Sequence, residues 1–256
     1  MIKRLFKIGF VAAVMVICTA LYLDYYVKNV EPDHKFANLD NKVLAHAGYF
    51  KDLKNGPNSI ESFNLAKEKG AIGTELDVIY DIETQKFVVS HDFPYKEHNG
   101  RLLYLDSVFA TYGNQFVYWL DFKNLKNLKS DETEKSCENL IELINEKGIN
   151  KDHVLIESTE LSMLAHFTSK GFYTSWWVLP EKSRYRSILR NYKYKLYYRL
   201  GKFSSLSMPY KYYPRIEESM KNIPINLWTV NDEEKFKEFY ENDKVKILLT
   251  DMNWYD

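Results

Sequence analysis

From residue 42 to residue 251, short apolar β runs alternate with amphipathic helical runs, and this alternation constrains the fold more than any other feature. Nine strand-like runs occur: 42–48 (KVLAHAG), 71–80 (AIGTELDVIY), 86–92 (KFVVSHD), 115–125 (QFVYWLDFKNL), 153–159, 172–179, 204–209, 225–230 and 245–251. Helical periodicity fills 58–70, 131–148, 161–171 and 232–242. Asn58 or Ser59 is placed to cap the first of these helices, and Gly70 to stop it. Strands that alternate with helices build a parallel sheet covered by helices. A chain of 256 residues fits a single α/β barrel. A barrel closes with eight strands, so one of the nine runs belongs off the barrel or to a hairpin. An open doubly wound sheet is the alternative, but neither G-x-G-x-x-G nor G-x-x-x-x-G-K-[ST] occurs. The expected class is α/β, a (β/α)8 TIM barrel over residues 42–256 preceded by one N-terminal transmembrane helix.

The N-terminus carries the membrane expectation. Lys3, Arg4 and Lys7 precede an uncharged run from Ile8 to Leu23, and Tyr22, Tyr25 and Tyr26 follow as an interfacial belt would. A spanning helix needs ~20 residues. Residues 1–27 are therefore expected to be an anchor, with 28–41 as a linker. A signal peptide cleaved near Ala20, or a buried soluble helix, are the competing assignments. The basic flank stays on the cytoplasmic side, so the first two readings place the remainder outside the cytoplasm, periplasmic or extracellular. Lys+Arg and Asp+Glu both number 35, so no net basic field points to nucleic acid. Cys18 and Cys137 sit in separate elements, and no disulfide or zinc-type cluster is expected.

Polar residues gather at strand ends. Glu75 and Asp77 are two apart in one run and leave the same face of it. Asp121 and Lys123 repeat that spacing, His46 ends the first run, and His91 with Asp92 ends the third. In barrels, active sites lie at the C-terminal strand ends. Two carboxylates on one face repel unless a cation separates them. Three carboxylates near one point suit a hard divalent cation, Mg2+ or Ca2+. Two imidazoles beside it suit general acid and base work, and a lysine adds charge for an anion. Together these residue types fit transfer at phosphorus. Taken singly, each has a structural explanation: a core histidine, a solvent-facing strand edge, an isolated ion pair.

The runs "LAHAG", "PNSIESFNLA", "KGAIGTELDV" and "FVVSHD", with "LWTVN" and "LLTD" near the end, resemble the glycerophosphodiester phosphodiesterase family. The resemblance spans about residues 42 to 253 and is most specific in its first third. It implies a phosphodiester hydrolase barrel with His46 and His91 as the acid/base pair. It further implies Glu75, Asp77 and Asp121 as metal ligands, Lys123 near the phosphate, and Trp228 lining the substrate mouth. Two positions depart from the family pattern: Ala47 stands where an Arg usually follows the first His, and Asp121 stands where Glu is usual. Lys cannot reproduce the bidentate clamp of an Arg. In these two respects the chain is similar to the sphingomyelinase D-type phospholipases, so a small-molecule or lipid phosphodiester, including a lysophospholipid, is the implied substrate. A barrel that binds a phosphorylated lipid or glycan without turnover is the alternative.

Residues 181–202 (EKSRYRSILRNYKYKLYYRLGK) hold eight Lys/Arg against Glu181 alone, with Tyr185, Ile188, Leu189, Tyr192 and Leu196 at helical spacing. Two readings follow: a barrel helix with that stripe on the sheet, or a surface helix in which segment 182–202 lies on anionic lipid.

Overall fold

In the computed structural model, which describes residues 2–31, 41–51, 53–181 and 183–252, alternation becomes a closed barrel. In chain order the elements are α1 (Ile2–Asn29), β1 (Val43–Ala45), α2 (Ile60–Glu68), β2 (Gly73–Asp81), β3 (Lys86–Val89), β4 (Glu97–His98), β5 (Arg101–Leu102) and α3 (Leu105–Tyr112). Then come β6 (Val117–Phe122), α4 (Ser130–Lys147), β7 (Val154–Ser158), α5 (Leu161–Ser169), β8 (Tyr173–Trp177) and α6 (Arg184–Arg199). The chain ends through β9 (Ser205–Pro209), α7 (Glu217–Met220), β10 (Ile225–Trp228), α8 (Glu233–Tyr240) and β11 (Val245–Thr250). Eight parallel strands, β1, β2 and β6 to β11, pair in sequence order, and β1 closes the ring by pairing with both β11 and β2.

The surplus run is 86–92. It forms β3, an antiparallel hairpin arm on β2 with Val78 opposite Val89, and is not a barrel stave. Two expectations change with it. His91 and Asp92 do not end a barrel strand; they lie in the turn beyond Val89. Asp121 sits on the third stave, not the fourth, and Asp77 pairs with it directly across β2 and β6.

Period-two alternation sorts the staves. Leu76 and Val78 face the helices with Leu120, Phe122, Ile156 and Leu206. Leu44, Val117, Trp119, Leu155, Tyr173, Ile247 and Leu249 fill the barrel interior. His46, Asp121, Glu157 and Asp251 therefore stand one inward position above an apolar floor. Gly73 lets β2 close on β6, since a Cβ there would lie 1.9 Å from the Val117 carbonyl oxygen. Ser59, not Asn58, caps α2: its hydroxyl accepts from the Ser62 N–H, and the Ser62 hydroxyl accepts from the Ser59 N–H.

The helix α1 is long and apolar enough to cross a membrane from Arg4 to Asn29. It extends through Lys28 and Asn29, which the sequence assigned to the linker; residues 32–40 of that linker, with His34, lie outside the described residues, as do Lys182 and 253–256. Only its last turns touch the barrel, where Leu23 and Val27 are buried.

The stripe on α6 faces the other way from the sheet-packing expectation. Tyr185, Ile188, Leu189 and Leu196 are exposed, whereas Tyr194 and Tyr198 are buried. Trp176 meets Tyr194 edge-on at 5.3 Å, and Phe203 packs on Tyr198 at 5.7 Å. Helical spacing marks a face. The face turned inward carries Tyr194 and Tyr198, against Trp176 and Phe203.

Candidate active site

A cavity of about 350 Å³ opens at the C-terminal ends of the staves. His46, Glu75, His91, Asp121, Lys123 and Trp228 all line it. Asp77 joins this group through Lys123, whose ammonium pairs with Asp77 Oδ1 at 2.5 Å and also with Asp121 Oδ2.

Glu75 and Asp77 are held by backbone or by a neighbouring amide, whereas the Asp121 carboxylate pairs with Lys123. Glu75 Oε2 accepts the Ala47 N–H at 2.8 Å. Asp77 Oδ2 accepts from Asn58 Nδ2 at 2.5 Å, and its own N–H donates back to Asn58 Oδ1 at 3.1 Å. Both supporting residues have left-handed backbone, Ala47 at φ 52° and Asn58 at φ 57°. That conformation is uncommon for Ala, and such strain concentrates at functional sites. Ala47 is buried, and its carbonyl oxygen accepts from the Asn58 N–H and the Ser62 hydroxyl. In place of a guanidinium clamp it provides a strained turn that aims Glu75.

One carboxylate oxygen from each of Glu75, Asp77 and Asp121 lies within 4.8 Å of the others. Burial raises the Glu75 carboxyl well above the usual range, and the charges of Asp77 and Asp121 add to the shift. Asp121 is raised for the same first reason, against the pull of Lys123. The Lys123 ammonium is pushed up, the carboxylates outweighing its own desolvation. The cluster thus draws a cation, and the lysine side chain occupies part of that role. An all-oxygen set of this kind fits Mg2+ or Ca2+.

The two histidines are supported differently. His46 Nδ1 bonds Asp251 Oδ1 at 2.7 Å, and Asn231 Nδ2 donates to Asp251 Oδ2 at 2.5 Å. Burial alone would raise Asp251, but the hydrogen bonds from His46 and Asn231 hold it below the usual carboxylate range. His91 Nδ1 meets Asp92 Oδ2 at 2.9 Å, and both side chains are mostly exposed. In each case the contact leaves Nε2 free for other partners.

Several site residues carried no assigned role in the sequence. Glu157, on β7, is buried between Trp119 Nε1 and the Ser207 hydroxyl, which donates at 2.5 Å. Burial, with Asp121 adding to it, pushes its carboxyl up to about 8. Trp177 faces Trp228 with ring centroids 5.7 Å apart, and the buried indole N–H of each has no partner among the described residues. Lys126 lines the cavity as well. Asn58 was legible only as a helix cap, because nothing local links position 58 to Asp77. Asp251 and Asn231 are polar residues just past strand ends, and the bond of Asp251 to His46 joins the last stave to the first.

No protein-family model matches the sequence, and no curated protein matches it. Solved structures do. A glycerophosphodiester phosphodiesterase from Thermotoga maritima aligns with a TM-score of 0.60 at 21% identity, covering 84% of this chain and 96% of that one. One from Parabacteroides distasonis gives 0.61 at 18%, covering 83% and 93%. An Oleispira antarctica phosphodiesterase in complex with the product sn-glycerol-3-phosphate gives 0.60 at 15%, covering 86% and 96%. The fold is that of the glycerophosphodiester phosphodiesterases. The likeness is one of architecture, since identity is low throughout.

Proposed function

We propose that this chain is a membrane-anchored phosphodiester hydrolase that works with a bound divalent cation. The observation that carries the reading is the convergence of Glu75, Asp77 and Asp121 oxygens within 4.8 Å, in a cavity lined by both His46 and His91. The solved neighbours, all phosphodiesterases by description, add support.

Glu75, Asp77 and Asp121 would hold the cation, which when bound stabilises negative charge on phosphoryl oxygens. The chain's own residues do the rest. One imidazole takes the proton from the attacking water or substrate hydroxyl as its oxygen bonds to phosphorus. The other delivers a proton to the leaving alcohol oxygen as the P–O bond breaks. Asp251 and Asn231 fix the ring of His46 with Nδ1 protonated. Lys123 contributes a positive charge beside the phosphate. Trp228 and Trp177 wall the side of the cavity where the substrate's organic group would lie. The helix α1 would span the bilayer once, with Lys3, Arg4 and Lys7 on the cytoplasmic side and the barrel outside. Its last turns are packed on the barrel, so cleavage near Ala20 would leave the docked segment in place.

The test uses the full chain in detergent against glycerophosphodiesters and lysophospholipids, with and without chelator. Turnover is expected that chelator abolishes and Mg2+ or Ca2+ restores, and that is lost in His46→Ala and His91→Ala with the circular-dichroism spectrum unchanged. Chelator-resistant turnover, or wild-type rates in both variants, would overturn the reading.

A further inference from the structure

α1 meets the barrel along α6, from Tyr192, whose hydroxyl donates to Asp24 Oδ2 at 2.9 Å, down to the last turn. The helix α6 leaves the mouth side after β8 and descends to the base, where 200–204 connect it to β9. Arg199, the last residue of α6, donates from Nε to the Tyr22 hydroxyl at 2.7 Å, and its guanidinium lies over the Tyr26 ring at 5.0 Å. Lys195, one turn earlier, pairs with Asp24 at 2.5 Å. Asn222 precedes β10, so it too belongs to the base. Its side-chain amide donates to the Lys28 and Val30 carbonyls at 3.1 and 3.2 Å. By contrast, all of α1 from Arg4 to Thr19 is exposed. So are Tyr185, Ile188 and Leu189 near the mouth end of α6. The anchor therefore roots at the N-terminal face of the barrel and leaves it there, instead of running up toward the mouth.

The same end carries a surface suited to lipid headgroups. Leu196 and Leu200 are exposed, and Arg199 and Lys202 flank them. Apolar side chains beside cations match an anionic interface. The 16 residues of α6 separate this end from the mouth by roughly 24 Å.

We infer that the bilayer lies against the base of the barrel and that the mouth opens into the aqueous phase. This rests on the spanning assignment made above, and its second test also on the hydrolase assignment. A phosphate group of a lipid seated in that bilayer would sit about a barrel height from His46 and Lys123. The mouth side also has exposed apolar residues, Phe93 and Leu179 with Tyr185, Ile188 and Leu189 on α6, and the test therefore reads both ends.

Two measurements on the full chain in anionic vesicles do this. First, Asn127→Cys at the mouth rim and Lys202→Cys at the base, each in a Cys18→Ser background, carry a donor fluorophore, and the vesicles carry acceptor lipid. Strong energy transfer from position 202 and weak transfer from 127 are expected. Equal or stronger transfer from 127 overturns the orientation. Second, a soluble glycerophosphodiester and a diacyl phospholipid in the same vesicles are offered as substrates. Hydrolysis of the soluble compound, with loss of lipid turnover, is the expected result. Lipid turnover in vesicles at the soluble rate would put the mouth at the bilayer and overturn the orientation. Should neither substrate react, in vesicles or in detergent, the hydrolase reading falls, while the fluorescence result still decides the orientation.

Discussion

The two halves of the barrel are polar in different ways. β1, β2 and β6 present charge at the mouth: His46, Glu75, Asp77 and Asp121, with Lys123 just beyond. β8 to β10 present neutral groups. There Asn226 donates to the Ser175 and Ser205 hydroxyls at 3.0 and 2.9 Å. Glu157 on β7 sits between the halves, and its raised carboxyl makes it neutral company for the second. The difference shows how one sheet divides its work. Charged groups are costly to bury and are kept where a cation and solvent can reach them. Neutral amides and hydroxyls satisfy one another and tie the far staves together. The charged half is therefore expected to govern turnover, and the neutral half stability.

Four measurements test this division, from the largest effect to the smallest. His46→Ala or His91→Ala should lower kcat by ~10²–10⁴-fold, with unfolding midpoints close to wild type. A large loss of stability in either would mean that the histidines belong to the scaffold. Asn58→Ala, which releases Asp77, should weaken divalent-cation affinity about 10–100-fold by titration calorimetry, the usual cost of losing a group that orients a ligand. Unchanged affinity would show that β2 alone aims the carboxylate. Across the barrel, Asn226→Ala removes the donor to two buried hydroxyls, of which Ser205 keeps the Thr174 carbonyl, and should cost about 1–3 kcal/mol in denaturant unfolding, with little change in kcat of the surviving folded protein. Turnover lost in full with the fold intact would break the comparison.

Glu157→Gln should have the smallest effect at low pH. The folded carboxyl ionises near pH 8, whereas an unfolded glutamate ionises near 4.3. Stability from this group is therefore present below the unfolded value and drains away as pH rises toward the folded one. The amide keeps partners in Trp119 and Ser207 and removes the slope. The variant should be within about 0.5 kcal/mol of wild type at roughly pH 5 and gain on it steadily at higher pH. Parallel stability curves for the two proteins would place the ionisation elsewhere.

Much of the fold was legible because its signals are local. Period-two and helical patterns located every barrel stave, and the two-residue spacing of Glu75 with Asp77 puts both on one face of an extended strand whatever lies beside it. What misled was direction and partnership. The run 86–92 has the composition of a stave yet folds back as a hairpin arm, because antiparallel and parallel strands share the same apolar signature. Of the two readings of the α6 stripe, sheet packing failed, because Tyr185, Ile188, Leu189 and Leu196 are exposed.

By itself, then, the amino-acid order determined the alternation of elements, the apolar N-terminal helix and the kinds of side chain at strand ends. All three depend on neighbours a few residues apart. Ring closure decided the rest. It brought Asp251 from the last stave to His46 on the first, set Asp121 beside Asp77, seated Glu157 on Trp119 and Ser207, and rooted α1 at the base. Those contacts join residues up to 205 positions apart. No local pattern encodes such pairings, because they form only when the strands' tilt and register bring distant segments together.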